Sequence, residues 1–392
     1  MKHILPIIVI AQFLSTSLWF AGNAVLPDMA AELDLAPAFL GNLTSAVQLG
    51  FITGTLLFAI LTVADKFSPS KVFLLSALLA ALFNLAISMK GLNGIQILLL
   101  RFGTGFFLAG IYPVGMKIAS DYFQKGLGKS LGLLVGALVL GTAFPHLVRS
   151  MTEALPWRFV LHATSALSVF GGFLIWIAVP NGPYRKPSQA FDFTVFFKVF
   201  QIKSFRSAAL GYFGHMWELY AFWAFLPVFI QQYGRLYGHE LNISFTSFAI
   251  IGLGGLSCAM GGYLSEKFHP SQIAKFALST SGICCFLSPL IFTQPFSLIF
   301  LLFLMVWGLA ITADSPMFST LVAQNAPEQN RGTALTIVNS LGFGISILSI
   351  QLLNILNPLL DPSFLFLILG MGPVIGLFYF VRGISIKAIP KN

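Results

Sequence analysis

The sequence predicts an all-α membrane protein: twelve transmembrane helices in two pseudo-symmetric six-helix bundles, with both termini cytoplasmic. Three observations predict it. Only 9% of the 392 residues are charged, 57% are hydrophobic, and the mean hydropathy is +0.86. A soluble domain carries roughly 25% charged residues, so this chain cannot coat a water-facing surface of its size. Apolar runs of about 20 residues, the length that spans a bilayer as a helix, recur twelve times. A polar loop motif returns at an offset of 201 residues. A soluble enzyme, a nucleic-acid-binding domain and a disordered regulator are excluded by the same numbers.

The runs fall at 4–26, 41–62, 72–89, 95–118, 131–148 and 158–179 in the first half. In the second half they fall at 207–230, 245–264, 273–292, 297–321, 333–356 and 363–382. Each is too long and too continuously apolar for an alternating barrel strand. The first run follows Lys2 and His3 and exceeds the roughly 7–15-residue core of a signal peptide, so it reads as a retained span. Between the sixth and seventh runs lies the longest polar stretch, about Pro180 to Phe205, with Pro183, Pro187, Arg185, Lys186, Lys198 and Lys203. Its segment FDFTVFFKVF (191–200) predicts a short helix lying on the inner leaflet. The expected organisation is a first bundle over 1–180, a linker over 181–206 and a second bundle over 207–392.

Orientation follows from lysine and arginine in the loops. With both termini inside, 17 of the 22 fall on the inner side, among them Lys2, Lys66, Lys71, Lys117, Lys125, Lys186, Lys267, Lys387 and Lys391. Only Lys90, Arg101, Arg149, Arg158 and Arg235 fall elsewhere. The net charge of +9 is therefore a topology signal and not a nucleic-acid footprint. Cys258, Cys284 and Cys285 lie in apolar runs and read as buried small hydrophobes; no Cys/His spacing suits a metal, and no cofactor motif is present.

The two halves repeat. Ala64-Asp65-Lys66-Phe67-Ser68-Pro69-Ser70-Lys71 in the first matches Ser265-Glu266-Lys267-Phe268-His269-Pro270-Ser271-Gln272 in the second. Leu26-Pro27 matches Leu226-Pro227, and Ile111-Tyr112-Pro113 matches Asp314-Ser315-Pro316. A duplicated set of six spans is a transporter architecture, with a site near the membrane midplane between the halves.

Over essentially the whole chain these features resemble the major facilitator superfamily. That family's loop between spans two and three reads Gly-x-Leu-Ala-Asp-Arg-x-Gly-Arg-Lys; here Asp65 and the base Lys66 survive, while Leu61 and Ser68 replace the glycines. The second copy keeps Gly262, Leu264, Glu266 and Lys267. Arg101-Phe102-Gly103-Thr104-Gly105 resembles the family's arginine-bearing motif in span four. The resemblance implies that Asp65, Lys66, Glu266 and Lys267 form a cytoplasmic gate latched in only one of two states. It also implies a monomer. Nitrate carriers of the family place an arginine in spans two and eight; here span two offers Gln48, and span eight has no base. Drug:proton antiporters carry a Gly-Pro pair in span five; here Gly141 and Pro145 are separated.

Ionisable residues inside spans cost on the order of 2.5–3.5 kcal/mol to insert and are functional candidates by default. Arg101, Glu218 and Asp314 are the three that sit clearly inside spans, with Lys117 and Asp121 at the inner end of span four. Glu218 falls near the middle of span seven, and His215, one turn earlier, shares its face. A carboxylate there can take up and release a proton as its access alternates. Asp314 immediately precedes Ser315-Pro316, where the proline frees a carbonyl and breaks the helix. Proton coupling is therefore expected of Glu218, His215, Asp314 and Arg101. The family resemblance, which puts spans one, two and seven around the cavity, implies solute contacts from Trp19, Asn23, Gln48, Tyr220 and Trp223, with Asn339 and Gln351 behind them.

The expected function is secondary active transport of a small organic solute by proton-coupled symport. Proton-coupled efflux and a non-transporting sensor of the same fold are the alternatives. No phosphate-binding Gly-x-x-x-x-Gly-Lys motif is present for a nucleotide-driven pump. The expected surroundings are the lipid bilayer of a bacterial inner membrane, with a solute and protons as partners and no nucleic acid.

Overall fold

The computed structural model describes residues 3–36, 38–123, 127–185, 192 and 194–383. Five residues used for orientation, Lys2, Lys125, Lys186, Lys387 and Lys391, lie outside the described residues, as do Phe191 and Phe193 of the linker segment. The described residues form helices and no strand.

The first predicted span is not one helix. Over 4–26 the chain forms α1 (Ile4–Thr16), a turn and α2 (Ala21–Ala24), and α3 (Leu26–Leu33) follows where the predicted span ends. The hydroxyls of Thr16 and Ser17 bond back to the carbonyls of Gln12 and Leu14, at 2.8 and 2.7 Å. Such local bonds compete with the helix ladder, and the helix ends there. Then come α4 (Phe39–Ile60), the short α5 (Val63–Lys66) and α6 (Pro69–Ala86). Span four breaks into α7 (Gly94–Leu108) and α8 (Tyr112–Tyr122), with Pro113 in the first turn of α8. The half closes with α9 (Leu127–Met151) and α10 (Arg158–Ala178).

In the linker, α11 (Val195–Gln201) forms within the predicted surface segment; Val195 and Val199 are buried and Phe197 is 70% exposed. The second half begins with α12 (Lys203–Tyr237), longer at both ends than the apolar run and closed by Gly238 at φ +68, a conformation glycine adopts without strain. It continues through α13 (Ile243–Leu264), α14 (Pro270–Phe292), α15 (Ser297–Ala313), α16 (Ser315–Asn325), α17 (Arg331–Leu356) and α18 (Met371–Gly383). The repeat copies fold alike. α6 and α14 both start on the proline of the loop motif, and α8 and α16 both start one residue before theirs.

Ten of the described helical segments are long and apolar enough to cross a membrane. The short α1 is apolar but 13 residues long. The 35-residue α12 has the length, but it carries His215 and Glu218 through its middle.

Within the first half α4 packs on α7, α6 on α10, and α1 on α9 and α10; within the second, α12 packs on α17 and α18, and α15 on α13 and α14. Two seams join the halves, α9 against α13 and α4 against α17. The first seam brings glycine backbones together, with Lys129 over the Tyr263 ring and Asn242 donating to Glu153 (2.9 Å). A Cβ added at Gly132 would lie 2.8 Å from the Cys258 carbonyl oxygen, and one at Gly136 would lie 2.7 Å from that of Gly255. The second seam is polar and lies at the end of the molecule that carries Arg149. Asn354 donates to the Ala38 carbonyl (2.9 Å), Gln351 to Ser45 (2.8 Å) and Ser346 to Gln48 (3.0 Å). Among the described residues, no side-chain hydrogen bond joins the halves at the opposite end, which carries Asp65.

Candidate functional site

The seams enclose a small cavity of about 40 Å³ at the centre. It lies on the Asp65 side of a ring cluster drawn from both halves. Tyr112, Tyr212, His215, Tyr220, Trp223, Ser315, Ser319, Asn339 and Phe343 line it. Tyr112 and Ser315 arrive there for the same reason. Each is the first residue of the helix that restarts after a break, α8 or α16, and the breaks are equivalent positions of the repeat.

His215 is the ionisable imidazole of this wall, held at both nitrogens. Its Nδ1 lies 2.8 Å from Oδ1 of Asp314, and its Nε2 lies 2.7 Å from the Ser315 hydroxyl. Both residues are buried, and Oδ2 of Asp314 has no hydrogen-bond partner. The arrangement needs a proton between Nδ1 and the carboxylate. It can exist with a neutral ring that accepts from Ser315, or with a charged ring that donates to both. The two side chains come from different helices, α12 and the α15–α16 break, so a movement of either changes the pair.

Glu218 lies one turn from His215 but on another side of α12. Its Oε1 accepts from the Trp307 indole (2.7 Å) and the Cys285 thiol (3.5 Å), and its Oε2 meets the Ser281 hydroxyl (2.9 Å). Ser281 also reaches the Leu278 carbonyl at 3.2 Å. A protonated Glu218 can therefore donate to Ser281, which donates onward to that carbonyl, leaving no buried group unpaired. All these partners belong to the second half, and none lines the cavity.

Arg101 is fully buried in the first half. It donates to the carbonyls of Leu18, at 3.1 Å, and Trp19, and reaches Asn84 Oδ1 at 3.5 Å. These carbonyls belong to the turn between α1 and α2. A broken helix at membrane depth leaves acceptors that must be satisfied by protein, and Arg101 satisfies them. Asn84 in turn donates to Leu161, Thr164 and Ser165 of α10. Among the described residues no carboxylate pairs with Arg101.

Of the expected solute contacts, Tyr220 and Trp223 line the cavity, and Trp19 stacks beside them. Trp19 lies 5.9 Å from Tyr220, 5.6 Å from Phe343 and 4.8 Å from Phe51, centroid to centroid. The rings of Trp19 and Phe51 come from the first half, those of Tyr220 and Phe343 from the second. Together they seal the cavity on its Arg149 side. Gln48 sits behind the seal against Ser346, and Asn23 bonds to Thr44 at 2.7 Å within the first half. Gln351 joins the α4–α17 seam, and Asn339 faces the cavity.

The four gate residues behave differently. Asp65 pairs with Lys117 of α8 at 2.7 Å, and Arg185 donates to the carbonyls of Asp65 and Phe67. These contacts lie within the first half and its linker. Lys66, Glu266 and Lys267 are exposed, and among the described residues none of them makes an ion pair. At the other end Arg149 clasps Asp28 (2.9 Å) and Arg158 clasps Glu32 (2.7 Å). The hydrogen bonds from Arg158 and Trp157 hold the Glu32 carboxyl down at about 2.

Residues 8–350 match the sequence profile of the Major Facilitator Superfamily. The chain belongs to this superfamily. It is therefore an integral membrane transporter and not an enzyme. Solved structures of superfamily transporters superpose along its length. The nucleoside transporter NupG is 16% identical, with a TM-score of 0.72 over 97% of this chain and 100% of that one. The proton:xylose symporter XylE, bound to 6-bromo-6-deoxy-D-glucose, is 14% identical, with a TM-score of 0.73 over 97% and 96%. A bacterial homologue of the human lysosomal transporter Spinster, inward-facing and occupied, is 15% identical, with a TM-score of 0.67 over 97% and 95%. At such identities the likeness shows the fold.

For a superfamily member, the residues that sequence reasoning missed are instructive. Tyr112, Tyr212, Ser319 and Phe343 line the cavity but were not singled out. Tyr112 had a signal: it occupies, at the first Pro-marked break, the place that Ser315 takes at the second. Tyr212 and Phe343 had none, being two aromatics among 41 Phe and 9 Tyr. The partnership of His215 with Asp314 was also missed, because helical spacing pairs His215 with Glu218 and says nothing of a neighbouring helix.

Proposed function

We propose that this chain moves a small organic solute with protons by alternating access, as a symporter in a bacterial inner membrane. In this reading it spans the membrane twelve times as a monomer. Its first half covers residues 1–180, its linker 181–206 and its second half 207–392. The Asp65 end and both termini are cytoplasmic, and Asp65, Lys66, Glu266 and Lys267 act at the cytoplasmic gate. The conformation is then one closed to the outside, with the α4–α17 seam and the ring seal shut.

One observation carries the coupling assignment: the His215–Asp314–Ser315 cluster on the cavity wall, at a helix break between moving elements. A proton arriving on this pair changes its charge beside the solute. The likeness in fold to a proton:xylose symporter agrees with it. Glu218 and Arg101 are, in this reading, buried braces of their own halves that support the cluster and the broken first span. The solute meets Tyr220, Trp223 and Trp19, with Gln48 and Asn23 behind them.

The test begins with a thermal-shift screen of the detergent-purified protein against a solute library at two pH values, since a bound ligand raises the apparent Tm by mass action. The best stabiliser is then offered to liposomes that hold the protein and a pH-sensitive dye. Wild type should acidify the lumen as solute enters. Asp314→Asn should keep binding and solute exchange but lose proton movement and uphill accumulation, while Glu218→Gln should keep all of them. Normal proton-driven accumulation by Asp314→Asn and by His215→Gln would remove the assignment.

A further inference from the structure

Four buried polar atoms around the ring seal lack partners. They are the indole N–H groups of Trp19 and Trp223, the amide nitrogen of Gln48 and the amide oxygen of Asn23. All four side chains are at most 6% exposed. Buried donors are paired in almost every folded protein, so four orphans within one cluster need an explanation. They surround the place where rings from the two halves close on each other. The planes of Trp19 and Tyr220 lie within 28° of parallel. When the halves part at this end, those faces and those donors are uncovered together.

The charge of the surroundings narrows what fits. Arg101 points its two terminal nitrogens at the carbonyls of Leu18 and Trp19, and Lys117 pairs with Asp65 and Asp121. No lysine or arginine lines the cavity. No carboxylate lines it either; Asp314 lies behind the wall, against His215. An anionic solute would find no fixed cation on this wall, and a cationic one would find no carboxylate. On the cavity side, the hydroxyls of Tyr112 and Tyr212 and the amide of Asn339 have no hydrogen-bond partner among the described residues.

We propose that the seal is the closed form of a binding site for an uncharged, ring-bearing solute rich in hydrogen-bond acceptors. The solute ring lies against Trp19 and Tyr220, in place of the rings that meet there now. Trp19, Trp223 and Gln48 donate to its acceptors, and Asn23 accepts from any donor it carries. Stacking favours rings at such spacings, and the orphaned donors gain the partners they lack. The assignment rests on the transport reading above and names the solute class for that same site.

The probes are three neutral rings, nicotinamide, uridine and caffeine, set against the anion nicotinate and the pyridinium cation 1-methylnicotinamide. Binding to the purified full chain is read by thermal shift and by tryptophan fluorescence. At least one neutral ring should bind saturably, while nicotinate and 1-methylnicotinamide should not. Trp19→Phe and Trp223→Phe keep a ring and lose only the N–H; each should weaken the neutral ligand about tenfold, the loss of one hydrogen bond. Trp157→Phe, remote from the seal, should leave the affinity unchanged. Should Trp19→Phe fold poorly, Trp223→Phe and Gln48→Met carry the same test. Binding confined to the charged probes, no binding by any neutral ring, or neutral binding untouched by these variants would overturn the assignment. Tight neutral binding without solute exchange in liposomes would leave it standing and overturn the transport reading instead.

Discussion

Arg101 shows what a buried charge can be for. A guanidinium at membrane depth invites a search for an acidic partner, yet this one covers the backbone carbonyls of a broken helix. Arg101→Leu would leave those acceptors bare and Asn84 short of a donor. The expected cost is about 2–4 kcal/mol, because hydrogen bonds to charged groups are each worth about 1.5–3 kcal/mol. Arg101→Lys should recover little, since a single ammonium cannot span two carbonyls as the planar fork does. A drop in apparent Tm for both variants, without bound solute, supports a brace; normal stability with uncoupled transport refutes it. At this scale the sequence is half legible. It marks Arg101, His215, Glu218 and Asp314 as exceptional, because ionisable groups are rare in spans. It hides their partners, because a carbonyl of Leu18 or an indole of Trp307 carries no sign of its neighbour along the chain.

The elements were legible wherever length and hydropathy decide them, and illegible where a few hydroxyls or one proline decide them. The runs at 245–264, 273–292 and 333–356 reappear as single helices within a few residues, while 297–321 breaks at Asp314 and 363–382 becomes an α-helix only from Met371. The first span was not foreseen as broken, since nothing in its hydropathy changes between Thr16 and Ala21. The α3 that follows it is tied to α10 by Glu32 and Arg158, a contact between distant parts of the chain. The Glu32 carboxyl is held below its ordinary value, so the tie stabilises the folded protein above that value. It fades as pH falls towards about 2. Glu32→Gln should therefore lower the apparent Tm slightly at pH 7 and by less as the solution is acidified through pH 4. High salt should shrink the difference too, because the pair is partly exposed. A difference that grows on acidification contradicts this.

For the whole molecule, the internal repeat was the strongest sequence signal, and it carries over into matching helix starts. What it could not tell is which seam holds and which one opens. The α4–α17 seam is closed by side-chain hydrogen bonds and rings, all of which can be undone and remade. The α9–α13 seam brings glycine backbones close, with Lys129 over the Tyr263 ring and Asn242 bonded to Glu153 towards its two ends, and in the proposed cycle the halves rock on it. Locking the α4–α17 seam with a disulfide between cysteines placed at Asn42 and Gln351, whose amides lie 3.3 Å apart, should abolish transport and spare folding. Reduction should restore it. Transport that continues with the bond intact would mean that the halves part elsewhere.

The three native cysteines, Cys258, Cys284 and Cys285, are all buried among helices. Thiol-directed reagents therefore meet an almost silent background on the intact protein. Spin labels or fluorophores can be attached at introduced cysteines without first stripping out the natural ones, and Cys285 stays to complete the hydrogen bonds of Glu218. The distances between the two halves can thus be followed through a working cycle in a chain whose interior is left as it is.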